Sequence, residues 1–176
     1  MPGVALDEAG RGQAARLGTA LATHRPNALF TSPMSRARAT AIAIETASGL
    51  AARPCDALNE IDFGEWTGAS FADLAGDPAW SRWNSQRSEA RPPGGEPMYL
   101  AQARVVAGIQ RMRAALPDGK VVAVSHADII KAALLWCLGL TLDAHMRLDI
   151  DPASISAMVL WEDGGKVLWI NQGVTA

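Results

Sequence analysis

The sequence has little of the features that mark several specialised protein classes. Its two cysteines, Cys55 and Cys137, exclude a disulfide scaffold and show no metal-ligand spacing. Its formal net charge of −2 disfavours the basic surface that is typical of nucleic-acid-binding proteins. Its longest apolar run, residues 132–138, is far shorter than the ~20 residues of a membrane-spanning helix. We therefore expect two ordinary buried or half-buried thiols in a reducing cytoplasm, with neither nucleic acid nor membrane as a partner.

The composition that is present is that of an ordinary globular protein. Hydrophobic residues make up 49% of the 176 residues and charged residues 19%, which excludes disorder for most of the chain. The length suits one domain, so we predict a single domain over residues 1–176. The sequence contains neither internal repeats nor low-complexity tracts.

Strand and helix patterns alternate along the chain. A helix is predicted over residues 6–25 with Asp7 as N-cap, and a buried strand over 28–31. Ser32 and Pro33 then predict the N-cap and first position of a helix that ends at Gly49. The remaining predicted elements are a short strand within 51–58, a helix over 98–116, a strand over 121–124 that is apolar on both faces, a helix over 128–138, and a hairpin over 155–161 and 166–170. This order predicts an α/β fold with three αβα layers and a mostly parallel central sheet, which binds ligands at the carboxyl ends of its strands.

Two of these strand ends carry residues suited to an anion. Arg36 lies in the first turn of the helix after strand 28–31, where its planar guanidinium would add to the anion preference of a helix N-terminus. Ser125 and then His126 follow strand 121–124. Taken alone, Arg36 could equally be a solvated surface residue and His126 a structural histidine. We expect the other two histidines, His24 and His145, to be solvated.

A third segment, residues 58–68, mixes three carboxylates, two glycines and two aromatic residues without helical or strand periodicity. A carboxylic acid against apolar walls has a raised pKa and can serve as a general acid. The alternative is a loop that Phe63 and Trp66 attach to the core.

Further along, four residues either line a lid over an anionic substrate or form a solvated basic surface. These four are Arg82, Trp83, Arg87 and Arg91.

Together these segments resemble the histidine phosphatase superfamily, also called phosphoglycerate mutase-like, in its small bacterial phosphatase branch. The matching stretches are residues 6–14, 31–40, 58–68, 93–96 and 124–128, in the family's order and over essentially the whole chain. The resemblance implies a phosphohistidine mechanism without metal or organic cofactor. It implies that Arg36 and His126 bind the phosphoryl group, that His126 also counts among the catalytic residues, and that Glu60 is the general acid.

The sequence departs from the family at one point, because it contains no Arg-His-Gly, the motif that carries the family's nucleophile. We expect the family's first central strand and its nucleophile to lie before Met1, so that the fold over residues 1–176 lacks that strand and the chain alone is inactive. A nucleophile-less relative is the alternative.

The function that the resemblance predicts is phosphomonoester hydrolysis, provided that the missing segment is present in the working protein. The substrate class would be a small phosphorylated metabolite, such as a phosphosugar, a phosphoglycerate, a nucleotide or α-ribazole phosphate. A mutase-type phosphotransferase and a non-catalytic phospho-ligand binder are the alternatives, and the short crossover over residues 68–92 favours the phosphatase. A homodimer is possible.

Overall fold

A computed structural model describes residues 5–174, and its centre is a three-stranded parallel sheet. The strands are β1 (Ala28–Thr31), β2 (Ala52–Pro54) and β3 (Val121–Val124), in the order β2-β1-β3. In this register Leu29 lies opposite Ala52 on one side and Val122 on the other. The predicted parallel sheet is confirmed.

Helices cover both faces of this sheet. They are α1 (Glu8–Thr23), α2 (Ser35–Ser48), α3 (Phe71–Leu74), α4 (Pro78–Ser85), α5 (Met98–Ala115) and α6 (Ala127–Cys137). Leu29 and Val124 pack with α1 and α2, whereas Phe30 and Val121 pack with the core on the other side, which includes α5 and α6. Successive strand residues point to opposite faces, so this alternation produces the predicted three layers. Within residues 5–174, no helix is both long and apolar enough to cross a membrane.

The chain ends in an antiparallel hairpin of β4 (Ile155–Trp161) and β5 (Gly164–Gln172), as predicted. Among the described residues this hairpin pairs only with itself, and β3 pairs only with β1. The prediction that both faces of β3 are buried is wrong at Ala123, which is exposed because nothing in the described part of the chain covers it. The absence of the family's first strand stays a prediction.

The helix boundaries test two capping predictions. Asp7 is the N-cap of α1, since its Oδ1 accepts a hydrogen bond from the Gly10 amide at 2.7 Å. Ser32 is not the N-cap of α2, which begins at Ser35 after Met34. The reason is that Ser32 is fully buried, and its hydroxyl bonds to side chains beyond β1 and to the Met34 amide.

Candidate active site

The carboxyl ends of β1 and β3 bring the predicted segments together. Thr31 and Val124 are paired neighbours at these ends, so the residues that follow them, Ser32 and His126, lie side by side. His126 Nε2 is 3.0 Å from Ser32 Oγ, and Ser32 Oγ donates to Asn59 Oδ1 at 2.8 Å. This chain of contacts joins the two strand ends to the carboxylate-rich loop.

His126 is buried, with 5% of its surface exposed. Burial, followed by the positive charges of Arg36 and Arg104, lowers the pKa of His126 to about 4. The ring is therefore neutral at pH 7. Because the Ser32 hydroxyl proton is directed at Asn59, Ser32 Oγ is free to accept from Nε2, which accordingly carries the ring hydrogen. A neutral imidazole has a single N–H, and here it is directed at Ser32, so His126 can donate to an anionic ligand only where a ligand oxygen replaces Ser32 Oγ as the acceptor.

Arg36 and Glu60 lie together at the same place. Arg36 Nη2 is 3.7 Å from Glu60 Oε2. Burial, reinforced by the negative charge of Asp128, nevertheless raises the pKa of Glu60 to about 7, against the lowering effects of Arg36 and of the Ile61 amide. A carboxyl with this pKa gives and takes protons near neutral pH. The structure thus brings Arg36, Glu60 and His126 together.

Arg104 of α5 holds the loop that carries Glu60. Its Nε and Nη2 bond both carboxylate oxygens of Glu96 at 2.8 and 2.9 Å. Its Nη1 donates to the Ala57 carbonyl at 2.8 Å and its Nη2 to the Glu60 carbonyl at 3.2 Å. A planar guanidinium suits such a bidentate arrangement. Arg104 therefore fixes the backbone on both sides of the segment leading to Glu60.

The segment over residues 93–96 packs against the same loop, backbone against backbone. The Glu65 amide donates to the Pro93 carbonyl at 2.9 Å, and the Glu96 amide donates to the Asp62 carbonyl at 2.8 Å. Gly64 has a φ of +52°, and a Cβ there would collide with the Pro93 carbonyl oxygen. This close approach explains why a glycine occupies the position.

A buried polar cluster lies beside the site, centred on Asp128 in the first turn of α6. His145 Nε2 is 2.9 Å from Asp128 Oδ1, and Arg87 Nη1 is 3.4 Å from Asp128 Oδ2. Burial alone would raise the pKa of Asp128, but the contacts with His145 and Arg87 hold this pKa below its usual value. The cluster keeps a negative charge near Glu60.

This cluster corrects two predictions. His145 is not solvated, since only 2% of its surface is exposed. It is buried beside Asp128, whose Oδ1 lies 2.9 Å from its Nε2. Arg87 and Trp83 form neither a lid nor a solvated surface: both are buried, with the guanidinium carbon 4.3 Å from the centre of the Trp83 ring. His24, by contrast, is exposed at the C-cap of α1, as predicted.

A cavity of about 550 Å³ opens next to these residues. Asn59 and Glu60 form part of its wall. The rest is largely apolar, with aromatic side chains contributed by Phe63, Trp66, Phe71 and Trp80. No group of three or more histidine, cysteine or acidic side chains in residues 5–174 is arranged to hold a metal ion.

Comparison with known proteins identifies the family and the fold. A family model described as histidine phosphatase superfamily (branch 1) matches residues 1–173. The chain belongs to the histidine phosphatase superfamily. Its predicted phosphoglycerate mutase-like fold is likewise confirmed by solved structures, among them the mycobacterial glucosyl-3-phosphoglycerate phosphatase. That structure superposes with a TM-score of 0.87 at 26% identity, over 97% of this chain and 89% of its own.

The chain also has relatives in sequence. A bifunctional protein of Mycobacterium tuberculosis is 35% identical over 147 residues, which make up 82% of this chain. The chain spans only 40% of the length of that relative. Phosphoserine phosphatase 1 of Hydrogenobacter thermophilus is 27% identical over 168 residues, covering 94% of this chain and 80% of its own.

Sequence reasoning missed several residues that build the site of this superfamily member. Ser32 was assigned to a helix cap, although its position directly after a buried strand was a signal for a site residue. Asp128, two residues after His126, also follows the end of a buried strand and could have been predicted as a site residue on the same ground. Asn59 lies in the segment over residues 58–68, but only the folded loop brings it to Ser32; Arg104 had no local signal, because only the packing of α5 brings it to Glu60.

Proposed function

We propose that the working protein hydrolyses a small phosphate monoester through a phosphohistidine intermediate. The observation that carries the proposal is the carboxyl of Glu60, whose pKa of about 7 makes it a proton donor near neutral pH. It lies 3.7 Å from the Arg36 guanidinium and lines a cavity of small-molecule size. The proposal includes the nucleophilic histidine of the Arg-His-Gly segment that the family resemblance implies for the working protein.

Arg36 and His126 would bind the phosphoryl group. Phosphoryl transfer depends chiefly on positioning and on positive charge at the equatorial oxygens. Arg36 supplies a fixed charge with a planar set of donors, in the first turn of α2, where the helix dipole also favours an anion. His126 would supply its single N–H, at Nε2, with a phosphoryl oxygen replacing Ser32 Oγ as the acceptor, and its neutral ring suits a position already close to Arg36 and Arg104.

Glu60 would move the protons of both half-reactions. In the first, the histidine nitrogen forms a bond to phosphorus, the ester P–O bond breaks, and the Glu60 carboxyl gives its proton to the departing alkoxide. In the second, the Glu60 carboxylate takes a proton from water as the water oxygen attacks phosphorus. The P–N bond then breaks, which releases inorganic phosphate and regenerates the histidine. A group that serves as acid and then as base needs a pKa near the working pH.

The setting of the reaction is part of the same proposal. The partner is a small phosphorylated metabolite, and the mechanism draws on no metal or organic cofactor. The compartment proposed is the cytoplasm, which suits two cysteines that are both free and half-buried, Cys55 and Cys137. The homodimer stays a prediction.

The test compares the 176-residue chain with a form extended by the in-frame codons upstream of Met1. We expect the extended form to release phosphate from 4-nitrophenyl phosphate and to trap an acid-labile phosphohistidine, and the shorter form to do neither. Glu60→Gln in the extended form should slow turnover of an alkyl phosphate by about 10²–10⁴-fold. It should slow 4-nitrophenyl phosphate much less, because 4-nitrophenolate leaves without a proton. Glu65→Gln, an exposed carboxylate of the same loop, is the control.

Three results would contradict the proposal. One is phosphate release by residues 1–176 alone that disappears in His126→Ala or Arg36→Ala, which would make the implied nucleophile unnecessary. Another is a stop codon directly upstream of Met1. The third is phosphate binding without turnover in the extended form, which would identify a non-catalytic binder. Transfer of the phosphoryl group to a second alcohol in preference to water would instead identify a phosphotransferase.

A further inference from the structure

The cavity beside Glu60 constrains the alcohol part of the substrate. We infer that this alcohol is uncharged and carries an aromatic or similarly flat apolar ring, and that alcohols bearing a carboxylate or a second phosphate are disfavoured. The inference rests on the proposed function, since it assumes that Glu60 protonates the leaving group.

The position of the alcohol follows from the position of the acid. A general acid must come within hydrogen-bond reach of the oxygen that it protonates. Glu60 lines the cavity, whereas Arg36 and the buried His126 do not. With the phosphoryl group held by Arg36 and His126, the ester oxygen lies at Glu60. The rest of the alcohol then extends into the 550 Å³ cavity, a volume typical of small-molecule sites.

The far wall of the cavity offers ring faces and edges. Trp66 and Trp80 meet edge to face with their ring centres 5.3 Å apart, and Phe71 lies 6.0 Å from Trp80. Trp66 is fixed from behind, because its Nε1 donates to Asp77 Oδ2 at 3.2 Å. Phe71 is 81% exposed, an unusual state for a phenyl ring, and it lies where a ligand ring would cover it. Aromatic pairs of this kind favour a further ring in stacked or edge-to-face contact.

The charges of the wall argue against an anionic alcohol. The ionisable side chains that line the cavity are Glu60 and Asp62, and no lysine, arginine or histidine of the described chain joins them. Glu60 is protonated and uncharged when it acts as the acid, so a carboxylate on the alcohol would face the carboxylate of Asp62 and find no cation of the lining to pair with. An uncharged ring meets no such repulsion and gains from apolar burial.

The experiment compares benzyl phosphate with 3-phosphoglycerate in the extended form of the protein. Both esters release alkoxides that need a proton, so the comparison isolates the alcohol's shape and charge. We expect kcat/KM to be higher for benzyl phosphate by about 10-fold or more, the scale of discrimination in a fitted apolar pocket. Phe71→Ser should reduce this preference, and its exposure makes the variant easy to fold. Tyr99→Ser, an aromatic on α5 with 53% exposure that is not part of the lining, is the matched control. Thr67→Lys, which places a cation in the exposed rim, should improve the use of 3-phosphoglycerate.

A binding measurement on the 176-residue chain keeps this inference separate from the proposed function. Benzylphosphonate cannot be hydrolysed, and we expect it to quench tryptophan fluorescence more strongly than phosphonoacetate does, with the difference reduced in Phe71→Ser. If the extended form hydrolyses 3-phosphoglycerate as well as benzyl phosphate, the inference is wrong and the proposed function stands. If the extended form hydrolyses neither ester, the proposed function fails. The difference in quenching between the two phosphonates then still tests whether the cavity prefers an uncharged ring. Equal quenching by the two phosphonates overturns the inference.

Discussion

The carboxyl of Glu60 should make the stability of the folded chain depend on pH. Burial and the nearby Asp128 charge raise its pKa from 4.5 to about 7 on folding. Between these two values the folded state holds a proton that the unfolded state has released, so stability falls as the pH rises through this window. Below about pH 4.5 both states are protonated, and the cost disappears.

The size of the effect follows from the same two values. A rise from 4.5 to about 7, at ~1.4 kcal/mol per pKa unit, corresponds to about 3 kcal/mol. Glu60 is only 16% exposed in its side chain, so solvent screens little of this cost. Glutamine has a similar shape and no charge to lose. Glu60→Gln should therefore be more stable than the unmodified chain by up to about 3 kcal/mol at roughly pH 8, and equally stable near pH 4.

The assay is urea unfolding of both chains across this pH range, followed by tryptophan fluorescence. Glu65→Gln controls for removal of an exposed carboxylate from the same loop and should change stability by no more than about 0.5 kcal/mol. If the difference between Glu60→Gln and the unmodified chain is the same at every pH, Glu60 does not have the raised pKa. The proton-transfer role proposed for it would then lose its physical basis.

Three further substitutions test how the site is held. Arg104→Met should lower the free energy of unfolding by about 1–3 kcal/mol, since it leaves a carboxylate and two carbonyls without their donor; unchanged urea midpoints would contradict this. Gly64→Ala should lower the melting temperature more than Gly68→Ala. Both glycines have a positive φ, but only a Cβ at Gly64 would collide with backbone atoms, so equal losses would contradict this explanation. Asp128→Asn should lower the pKa of Glu60, because it removes a nearby negative charge. The titration of the Glu60 carboxyl carbon can be followed by NMR, and an unchanged titration midpoint would exclude an effect of the Asp128 charge.

The part of the site that could be predicted from the sequence is the part that lies next to strand ends. Arg36 and His126 come within a few residues of the ends of β1 and β3, which parallel pairing places side by side. Glu60 was identified through family resemblance and through its apolar surroundings. In each case the signal lies within a few residues of the group itself.

The contacts that could not be predicted join residues far apart in the chain. The sequence predicts His145 in solvent because nothing in its own segment indicates a partner, whereas Asp128, which binds it, lies in the first turn of α6. Arg104 reaches carbonyls 44 and 47 residues away. Such pairs depend on how α5 and the loop over residues 55–68 pack in three dimensions, which local patterns do not encode.

The way in which Glu60 is held has a consequence for the diversification of this site. The contacts that fix its loop run from Arg104 to backbone carbonyls and between the backbones of residues 62–65 and 93–96. Phe71, an exposed ring of the cavity wall, takes no part in them. Substitutions in that wall can therefore accumulate one at a time and change which alcohol is accepted while the carboxyl stays in place. The preference for an alcohol can thus change without a change in the proton transfer, because different atoms of the molecule are responsible for each.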